Sequence, residues 1–387
     1  MSLTTADTIA LSDEERMIRD SARQFAQEVV APVADELFET GRFPYEIIAG
    51  LADMGFMGIL IPEEHGGVGA TTTAYIAAIE EMSKVDVTVA LTWQVHVLVT
   101  EVYSHFATDE QKAEWLPRMA RGEILGGIAM TEPGAGSDLR NVRTSAVRDG
   151  DEWVLNGAKT FITNAGTDIS DGLIVLARTG EDAKGRPSLT TFIVPKATPG
   201  LVMGNRLKKF GWKSMDTREV FLEECRIPAA NILGEEGKGL RQTLTGMDLG
   251  RIVFATGSIG IAQACLDHAV AYAKERHQFG QPIGSFQAIQ FRLADLAAQI
   301  FCARQAIYAA AKKRDTGVEV EVEASMAKLV SCRLGTLAAD TAYHVFGGYG
   351  FSLEYPIARY YADAKIMEIG EGTTEMQLMR IAKGLGL

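Results

Sequence analysis

The spacing of apolar residues changes twice along the chain. Over the first 125 residues, apolar side chains recur at helical spacing, as at Met17, Ile18, Phe25 and Val29, and Ser12 ahead of three acidic residues is a typical helix N-cap. Further helices are predicted at about 45–54, 72–84, 91–104 and 109–119. This part of the chain is therefore predicted to be helical.

The helical spacing of apolar residues ends at Gly126. Short β-prone segments separated by turn-rich pieces follow at 153–155, 159–163, 172–177, 189–194 and 217–222. The pair Asp149-Gly150 between two such runs predicts a hairpin. Because no helices intervene, an antiparallel sandwich or barrel is expected rather than a parallel sheet with crossover helices.

Helical spacing returns from Gly239, in Ala-rich runs over 251–276, 286–316 and 319–345 that are typical of a bundle. The predicted fold class is α+β and mainly α. Its domains are an N-terminal α-helical domain (1–125), a middle antiparallel β-barrel or sandwich domain (126–236) and a C-terminal helical bundle domain (237–387).

Charge and composition exclude several classes of function. The net charge of −12 and the lack of any cluster of five Lys or Arg argue against a nucleic-acid partner. The acidic N-terminus lacks a signal or transit pattern, and no uninterrupted apolar run reaches membrane-spanning length. A cytoplasmic protein with no membrane partner is therefore expected.

The four cysteines are scattered, with no Cys-x-x-Cys pair and no His at metal spacing, which predicts reduced, mostly buried thiols and no metal site. The run Gly134-Ala135-Gly136 has the first two glycines of a dinucleotide fingerprint, but Leu139 replaces the third. The usual nucleotide-binding motifs are therefore excluded.

Three clusters carry candidate chemistry. The segment M-T-E-P-G-A-G-S-D at 130–138 combines hydroxyls with glycines that let a ligand approach the backbone, although a plain interdomain turn fits it equally. In E-R-H-Q-F-G-Q-P-I-G-S-F at 275–286, Arg276 offers a cation for a phosphate and Phe279 a surface for a ring, or both belong to an ordinary helix corner. The third, H-V-F-G-G-Y-G at 344–350, has more glycines than a helix C-cap requires.

A fourth feature is Glu371, between Gly370 and Gly372 at a break in helical character that follows Ile369. Glycines on both sides indicate a kink, which places Glu371 at an element end facing a cleft, as a candidate base. The alternative is that Thr373 N-caps the next helix and Glu371 only complements its positive end.

These motifs, in this order and spacing, resemble those of the acyl-CoA dehydrogenase family of flavoproteins over essentially the whole chain. The matching stretches include T-E-P-G-A-G-S-D, R-x-x-F-G-x-P-I, F-G-G-Y-G-F and D-A-K-I-x-x-I-x-E-G-T. The resemblance implies a helical domain, a β domain and a C-terminal four-helix bundle. It also implies FAD-dependent α,β-dehydrogenation of an acyl-CoA to the trans-2-enoyl-CoA, and electron transfer to electron-transferring flavoprotein.

The resemblance assigns roles to particular residues. Glu371 matches the catalytic base, which takes the α-proton while a hydride passes to flavin N5. The backbone N–H of Glu371 and a hydroxyl of FAD are expected to polarise the thioester carbonyl. Ser137, Arg251 and Gly372 match substrate-binding positions. The expected FAD-binding residues are Met130, Thr131, Ser137, Phe161, Ile162, Thr163, Arg276, Gln278, Phe279, Ile283, Phe286, His344, Gly347, Gly348, Thr373 and Glu375.

Two comparisons with the family refine these expectations. His344 stands where Gln is usual, which puts that one contact in doubt. Isovaleryl-CoA-type relatives carry the base at the position of Gly250, so only one of the two base positions is filled here.

The resemblance also implies a homotetramer built as a dimer of dimers, in which the segment at Arg276 contacts a neighbour's FAD. The acyl pocket is expected to be lined from 91–99 and 247–251, where Trp93, Gln94 and His96 favour a short, branched or functionalised acyl chain. The alternatives are an acyl-CoA oxidase, another flavin reaction on this scaffold, and a non-catalytic CoA-binding relative.

Overall fold

A computed structural model describes residues 9–387, so the first eight residues of the predicted N-terminal domain lie outside the described residues. The N-terminal part is helical, as predicted. Its α-helices are α1 (Asp13–Phe25), α2 (Ala34–Thr40), α3 (Tyr45–Asp53), α4 (Thr72–Val85), α5 (Val87–Phe106) and α6 (Asp109–Ala120). Ser12 caps α1, since its hydroxyl accepts from the Glu15 N–H while the Glu15 carboxylate accepts from the Ser12 N–H.

The middle part is a seven-stranded sheet. Its strands are β1 (Ile128–Ala129), β2 (Ser145–Asp149), β3 (Glu152–Thr163), β4 (Leu173–Glu181), β5 (Pro187–Val194), β6 (Leu201–Arg206) and β7 (Thr217–Pro228). Their order is β1-β4-β2-β3-β7-β6, with β5 paired to β4. The predicted hairpin at Gly150 joins β2 and β3.

The predicted β domain is present and four of its six strand pairings are antiparallel, but two details of the sheet differ from the prediction. The pairings of β1 and of β2 with β4 are parallel, whereas the other pairings are antiparallel. The segments predicted at 153–155 and 159–163 form one strand, β3. Register shifts after Leu155 and Lys159 keep that strand continuous through the small and polar residues that resemble a turn in the sequence.

The C-terminal part is helical. It contains α7 (Gly239–Thr245), α8 (Met247–Glu275), α9 (Gln287–Asp315), α10 (Glu321–Phe346), α11 (Ile357–Ala364) and α12 (Thr374–Gly384). A two-stranded ribbon of β8 (His277–Gln278) and β9 (Gln281–Pro282) links α8 to α9. The helices α8, α9 and α10 are the long members of the bundle, and the short α11 and α12 pack against α10.

The N-terminal helices and the bundle share one apolar core, while the sheet has its own. A buried ion pair crosses the shared core, where Arg304 Nε of α9 donates to Glu80 Oε1 of α4 over 2.8 Å. The helices α5 and α8 belong to the same close-packed core, so they form a rigid support beside the Glu371 loop.

One helical segment, Gly239–Glu275, which comprises α7 and α8, is long and apolar enough by length and composition to cross a membrane. Its apolar window is entirely buried inside the protein. This burial is typical of a core helix, because a helix that is apolar all round needs partners on every side.

Candidate active site

Glu371 lies in a strained backbone conformation. Its φ angle is +53°, in the left-handed region that non-glycine residues seldom adopt. The residue joins a 3₁₀ turn (Lys365–Glu368) to α12, and Thr373 caps α12 by accepting a hydrogen bond from the Met376 N–H. The predicted break and the predicted cap are both present. Such strain persists where surrounding structure enforces it, often at functional sites.

Gly370 and Gly372 each need to be glycine, for different structural reasons. A Cβ on Gly370 would lie 2.8 Å from the Phe254 ring of α8, so this position must be bare for the loop to approach α8. Gly372 has a φ of +89°, which strains any residue with a side chain. Gly370 therefore lets the loop pack against α8, and Gly372 permits the left-handed turn that follows Glu371.

The Glu371 carboxylate lies beside Gly250 on α8. A Cβ on Gly250 would be 2.9 Å from Glu371 Oε2. The alternative base position that the resemblance implies, at Gly250, therefore adjoins the carboxylate in space. Burial raises the pKa of the Glu371 carboxyl above its ordinary value, and the charges of Arg251 and Lys328 oppose that rise.

Lys328 of α10 forms hydrogen bonds to the backbone of the Glu371 loop. Its side chain is 1% exposed, and its Nζ donates to Gly372 O over 2.9 Å and to Met367 O over 3.1 Å. The Gln377 amide also donates to Gly372 O, over 2.8 Å. Sequence reasoning missed both residues, although a lone lysine in the Ala-rich run of α10 was an available signal.

The Glu371 backbone N–H has no hydrogen-bond acceptor among the described residues. Adjacent carbonyls are engaged, because Gln377 Nε2 donates to both Glu371 O and Gly372 O. An N–H free beside a carboxylate with a raised pKa provides a donor and a base at one residue, which is the pairing that α-proton removal from a thioester requires.

Arg251 is buried beside this loop on α8. It is 1% exposed, and its Nη1 donates to Asp248 Oδ1 over 2.5 Å. Its Nε is buried without a hydrogen-bond partner among residues 9–387. The side chain therefore supplies positive charge near Glu371 and retains a donor.

Substituting Gly250 by Ala is expected to separate stability from activity. The new methyl group displaces the Glu371 carboxylate, and a misplacement of this kind lowers turnover, by about tenfold here. The melting temperature should stay level or rise, since Ala favours a helix interior over Gly by about 1 kcal/mol. Thermal unfolding and steady-state kinetics on the same preparation check this. A fall in both quantities, or in neither, contradicts the proposed position of the carboxylate.

The predicted flavin-ring residues fall into one group at the edge of the sheet. The Thr160 N–H donates to Thr131 O over 2.9 Å and Lys159 Nζ donates to Met130 O over 3.2 Å, so the segment after β1 lies against the end of β3. Phe161 there has a φ of +60° and a 67% exposed side chain, while Ile162 is buried and Thr163 half-buried.

Glu132 anchors the turn that follows. Its carboxylate accepts from Lys159 Nζ over 2.8 Å and from the Arg143 and Thr144 N–H groups. Ser137 lies exposed beyond this turn, and a Cβ on Gly134 or Gly136 would meet nothing within 4 Å. The turn is thus fixed at its base and open at its tip, where a ligand has room.

The residues predicted for the adenosine end form a second group, around the ribbon. Arg276 lies 5.7 Å from the Tyr349 ring, beside Gly347 and Gly348, and the Phe279 and Phe286 rings pack edge to face. Gln278 is exposed and Ile283 half-buried. Phe279 is 92% exposed with a φ of +53°. No hydrogen bond, ion pair or ring contact among residues 9–387 joins this group to the first.

His344 lies apart from Glu371, on the exposed side of α10. Its Nδ1 is 2.9 Å from Asp340 O, and it borders a cavity of about 290 Å³ between α9 and α10 that is also lined by Arg292 and Gln299. Of the two residues predicted near the catalytic loop, Thr373 caps α12 and Glu375 is exposed in its first turn.

The two groups have the chemistry that FAD requires. Phe161 and Phe279 present unburied aromatic faces on strained backbone, the Gly134–Gly136 turn is open, and Arg276 offers a guanidinium suited to a pyrophosphate. Among the described residues no cluster of three or more His, Cys, Asp or Glu has the arrangement of a metal site.

The three large or polar side chains predicted to line the acyl pocket are all buried, and they differ in their hydrogen-bond partners. Trp93 donates from Nε1 to Phe56 O and stacks on the Phe56 ring, so it belongs to the N-terminal core. His96 Nδ1 accepts from the Gly126 N–H, and burial lowers the pKa of its ring to about 4, so it is a neutral link to the sheet. Gln94 is buried, and the atoms of its amide have no partner among residues 9–387.

Three family models match the chain in succession. They are the acyl-CoA dehydrogenase N-terminal domain over residues 12–123, the middle domain over 127–225 and the C-terminal domain over 237–386. The matched ranges together span most of the chain.

Individual relatives agree with the models. A probable acyl-CoA dehydrogenase of Bacillus subtilis is 43% identical over 97% of this chain and 98% of its own length. The structure of butyryl-CoA dehydrogenase from Megasphaera elsdenii matches with a TM-score of 0.94 at 38% identity, covering 98% of this chain and 100% of that one.

A further match is a solved structure from work on the electron transferring flavoprotein of Acidaminococcus fermentans. It has a TM-score of 0.93 at 37% identity, over 97% of this chain and 99% of that one. The chain belongs to the acyl-CoA dehydrogenase family, whose members are FAD-dependent oxidoreductases.

Proposed function

We propose that this protein dehydrogenates a short acyl-CoA thioester between its α and β carbons, with Glu371 as the base. The observation that carries the proposal is the geometry of Glu371, whose carboxylate has a raised pKa beside Gly250 and whose backbone N–H is free. The butyryl-CoA dehydrogenase of Megasphaera elsdenii supports the choice of a short chain.

Glu371 removes the α-proton in this proposal. An α C–H next to a thioester is too weak an acid for a carboxylate in water, so the carbonyl oxygen must be polarised as the proton leaves. The Glu371 N–H is the donor for that oxygen, and single donors of this kind contribute roughly 3–4 kcal/mol to the barrier reduction. Lys328 and Gln377 fix the loop so that base and donor keep one geometry.

FAD supplies the acceptor for the hydride that leaves the β carbon. Met130, Thr131, Ser137 and the end of β3 at 161–163 hold its ring. Thr373 and Glu375 contact FAD near the catalytic loop. Arg276, Gln278, Phe279, Ile283, Phe286, His344, Gly347 and Gly348 contact the distal part of the FAD of a neighbouring subunit.

Substrate contacts come from three predicted residues. Arg251 supplies positive charge and an unpartnered Nε, Gly372 permits the left-handed backbone next to Glu371, and Ser137 lies exposed beside the open turn. Because Arg251 is only 1% exposed, its charge is weakly screened and acts strongly on neighbouring groups.

A homotetramer, arranged as a dimer of dimers, fits the surface of the bundle. Large apolar side chains are exposed along α9 and α10, among them Phe291, Val330 and Leu337. Exposed large apolar side chains of this kind fit a subunit contact. We infer a cytoplasmic enzyme that passes electrons to electron-transferring flavoprotein, and the likeness to the Acidaminococcus fermentans structure supports that acceptor.

Activity is expected to fall with acidification at a pH above the ordinary Glu pKa. The base must be ionised, and burial raises the pKa of Glu371, so the acidic limb of kcat/KM lies above 4.5. The same carboxyl contributes less to folding stability as the pH rises through that window, because the folded state holds the proton more tightly than the unfolded chain. A pH–rate profile with its acidic midpoint at or below 4.5 contradicts this expectation.

Anaerobic mixing of the holoprotein with butyryl-CoA tests the proposed function. Dehydrogenation predicts loss of the visible flavin absorbance, formation of the 2-enoyl-CoA and reoxidation by electron-transferring flavoprotein. If the reduced flavin is instead reoxidised rapidly when oxygen is admitted, the protein is an acyl-CoA oxidase. A colourless protein, or a flavin unchanged by any acyl-CoA in a panel, indicates a non-catalytic relative.

A further inference from the structure

The helices α5 and α8 run antiparallel beside the catalytic loop. A Cβ on Gly246, next to the start of α8, would lie 2.9 Å from Leu98 Cδ1. Eleven residues later on α8, a Cβ on Gly257 would lie 3.3 Å from Val87 Cγ2, eleven residues earlier on α5. These two contacts fix the register of one helix against the other.

This register places Gln94 opposite Gly250. Gln94 lies four residues before Leu98 on α5, and Gly250 lies four residues after Gly246 on α8, so both are displaced by about 6 Å in the same direction. On α5, Val87, Leu91, Gln94 and Leu98 follow helical spacing and form one face. Gln94 therefore lies on the face of α5 turned to α8, level with the Glu371 carboxylate.

The Gln94 side chain is polar and unsatisfied at this place. It is 1% exposed, and neither Oε1 nor Nε2 has a hydrogen-bond partner among residues 9–387. Buried amides in folded proteins normally have partners, because leaving one unpaired costs free energy. Leu91 and Leu98, one turn away on either side, are buried and apolar. The Gln94 amide is thus a polar group between apolar side chains on this face of α5.

We propose that Gln94 determines specificity by hydrogen-bonding a neutral polar group, a hydroxyl or an amide, on the acyl chain of the substrate. The inference rests on the proposed function, because it takes the space between α5 and Gly250 as the acyl pocket. An amide both donates and accepts, which suits a hydroxyl or another amide. The helix α5 carries no Lys or Arg, so it offers a carboxylate no positive charge.

Pairs of substrates that differ in one group test this assignment. Pentanoyl-CoA and 4-hydroxybutanoyl-CoA differ by a methyl against a hydroxyl at the chain end, as do hexanoyl-CoA and 5-hydroxypentanoyl-CoA. The wild type is expected to favour one hydroxylated member by about tenfold or more in kcat/KM, since a site built for a hydroxyl rejects the analogue that lacks it. Gln94→Met, of similar length, should reverse that preference.

Two further variants make the test decisive. Gln94→Leu repeats it with a different shape in case Met disturbs folding. Ser104→Ala removes a different buried, unpartnered polar group from α5, a hydroxyl ten residues away, and should leave the substrate ratio unchanged. An unchanged ratio in both Gln94 variants, with alkyl thioesters still reducing the flavin, overturns only the role of Gln94. Failure of every thioester to reduce the wild-type flavin overturns the proposed function as well.

Discussion

Replacing Glu371 by Gln is expected to lower turnover of a short acyl-CoA by roughly 10²–10⁴-fold, the usual contribution of a positioned base. The amide keeps the size of the side chain but cannot take the α-proton. FAD should remain bound, because Glu371 belongs to neither group of proposed FAD-binding residues at the sheet edge and the ribbon. Steady-state kinetics and the flavin-to-protein ratio are the measurements.

Glu354→Gln is the matched control for that experiment. Glu354 is also a glutamate of the C-terminal part, but it is exposed and lies outside both groups and the catalytic loop. The control should match the wild type in turnover and in flavin content. Loss of flavin from the Glu371 variant alone would show that Glu371 serves cofactor binding instead of proton transfer.

Substituting Lys328 by Met is expected to have the second-largest effect, on stability and on pH dependence together. The variant leaves the Met367 carbonyl without its ammonium donor, while the Gly372 carbonyl keeps only the Gln377 amide as a donor. A buried polar group that loses its partner costs about 1–3 kcal/mol, and relief from burying a charge offsets part of the total. We expect a loss of about 1–3 kcal/mol, measured by urea unfolding.

The pH dependence of the same variant has a definite sign. Lys328 is a positive charge that lowers the pKa of Glu371 against the effect of burial. Its removal raises that pKa further, so the acidic limb of kcat/KM moves to higher pH. Lys312→Met, at an exposed lysine of α9 that donates to Ala10 O, should change neither quantity appreciably. An acidic limb that stays in place or moves downward contradicts the assigned role of Lys328.

Local signals in the sequence predicted much of the framework. The N-cap at Ser12, the hairpin at Gly150 and the break before Thr373 each depend on residues within a few positions of one another, and the structure confirms all three. The change of period near residues 126 and 239 likewise reflects local preference, which is why the helix–sheet–helix order is readable without a structure.

Other features depend on contacts between distant parts of the chain. Lys328 lies more than 40 residues before the carbonyl of Gly372 that it holds, and no periodicity marks that pairing. The left-handed backbone of Glu371 and Phe161 is enforced by packing, against the preference of either residue. Tertiary contacts decide these positions, so sequence alone did not reveal them.

The side chains on α5 also show that sequence alone does not reveal tertiary contacts. Trp93, Gln94 and His96 were equally plausible lining residues, because all three are large or polar. The structure separates them by partner, since Trp93 bonds to Phe56 O and His96 to the Gly126 N–H, while the Gln94 amide has no partner among the described residues. Only the crossing of α5 and α8 distinguishes the side chain that faces Gly250.

The most direct test of the role of Glu371 is a stopped-flow experiment without oxygen, in which FAD-loaded wild type and Glu371→Gln are mixed with butyryl-CoA side by side. The wild type should lose its visible flavin absorbance within the mixing experiment. The variant, carrying the same amount of FAD, should keep its absorbance over that time. Equal rates of flavin reduction in the two proteins would contradict Glu371 as the base.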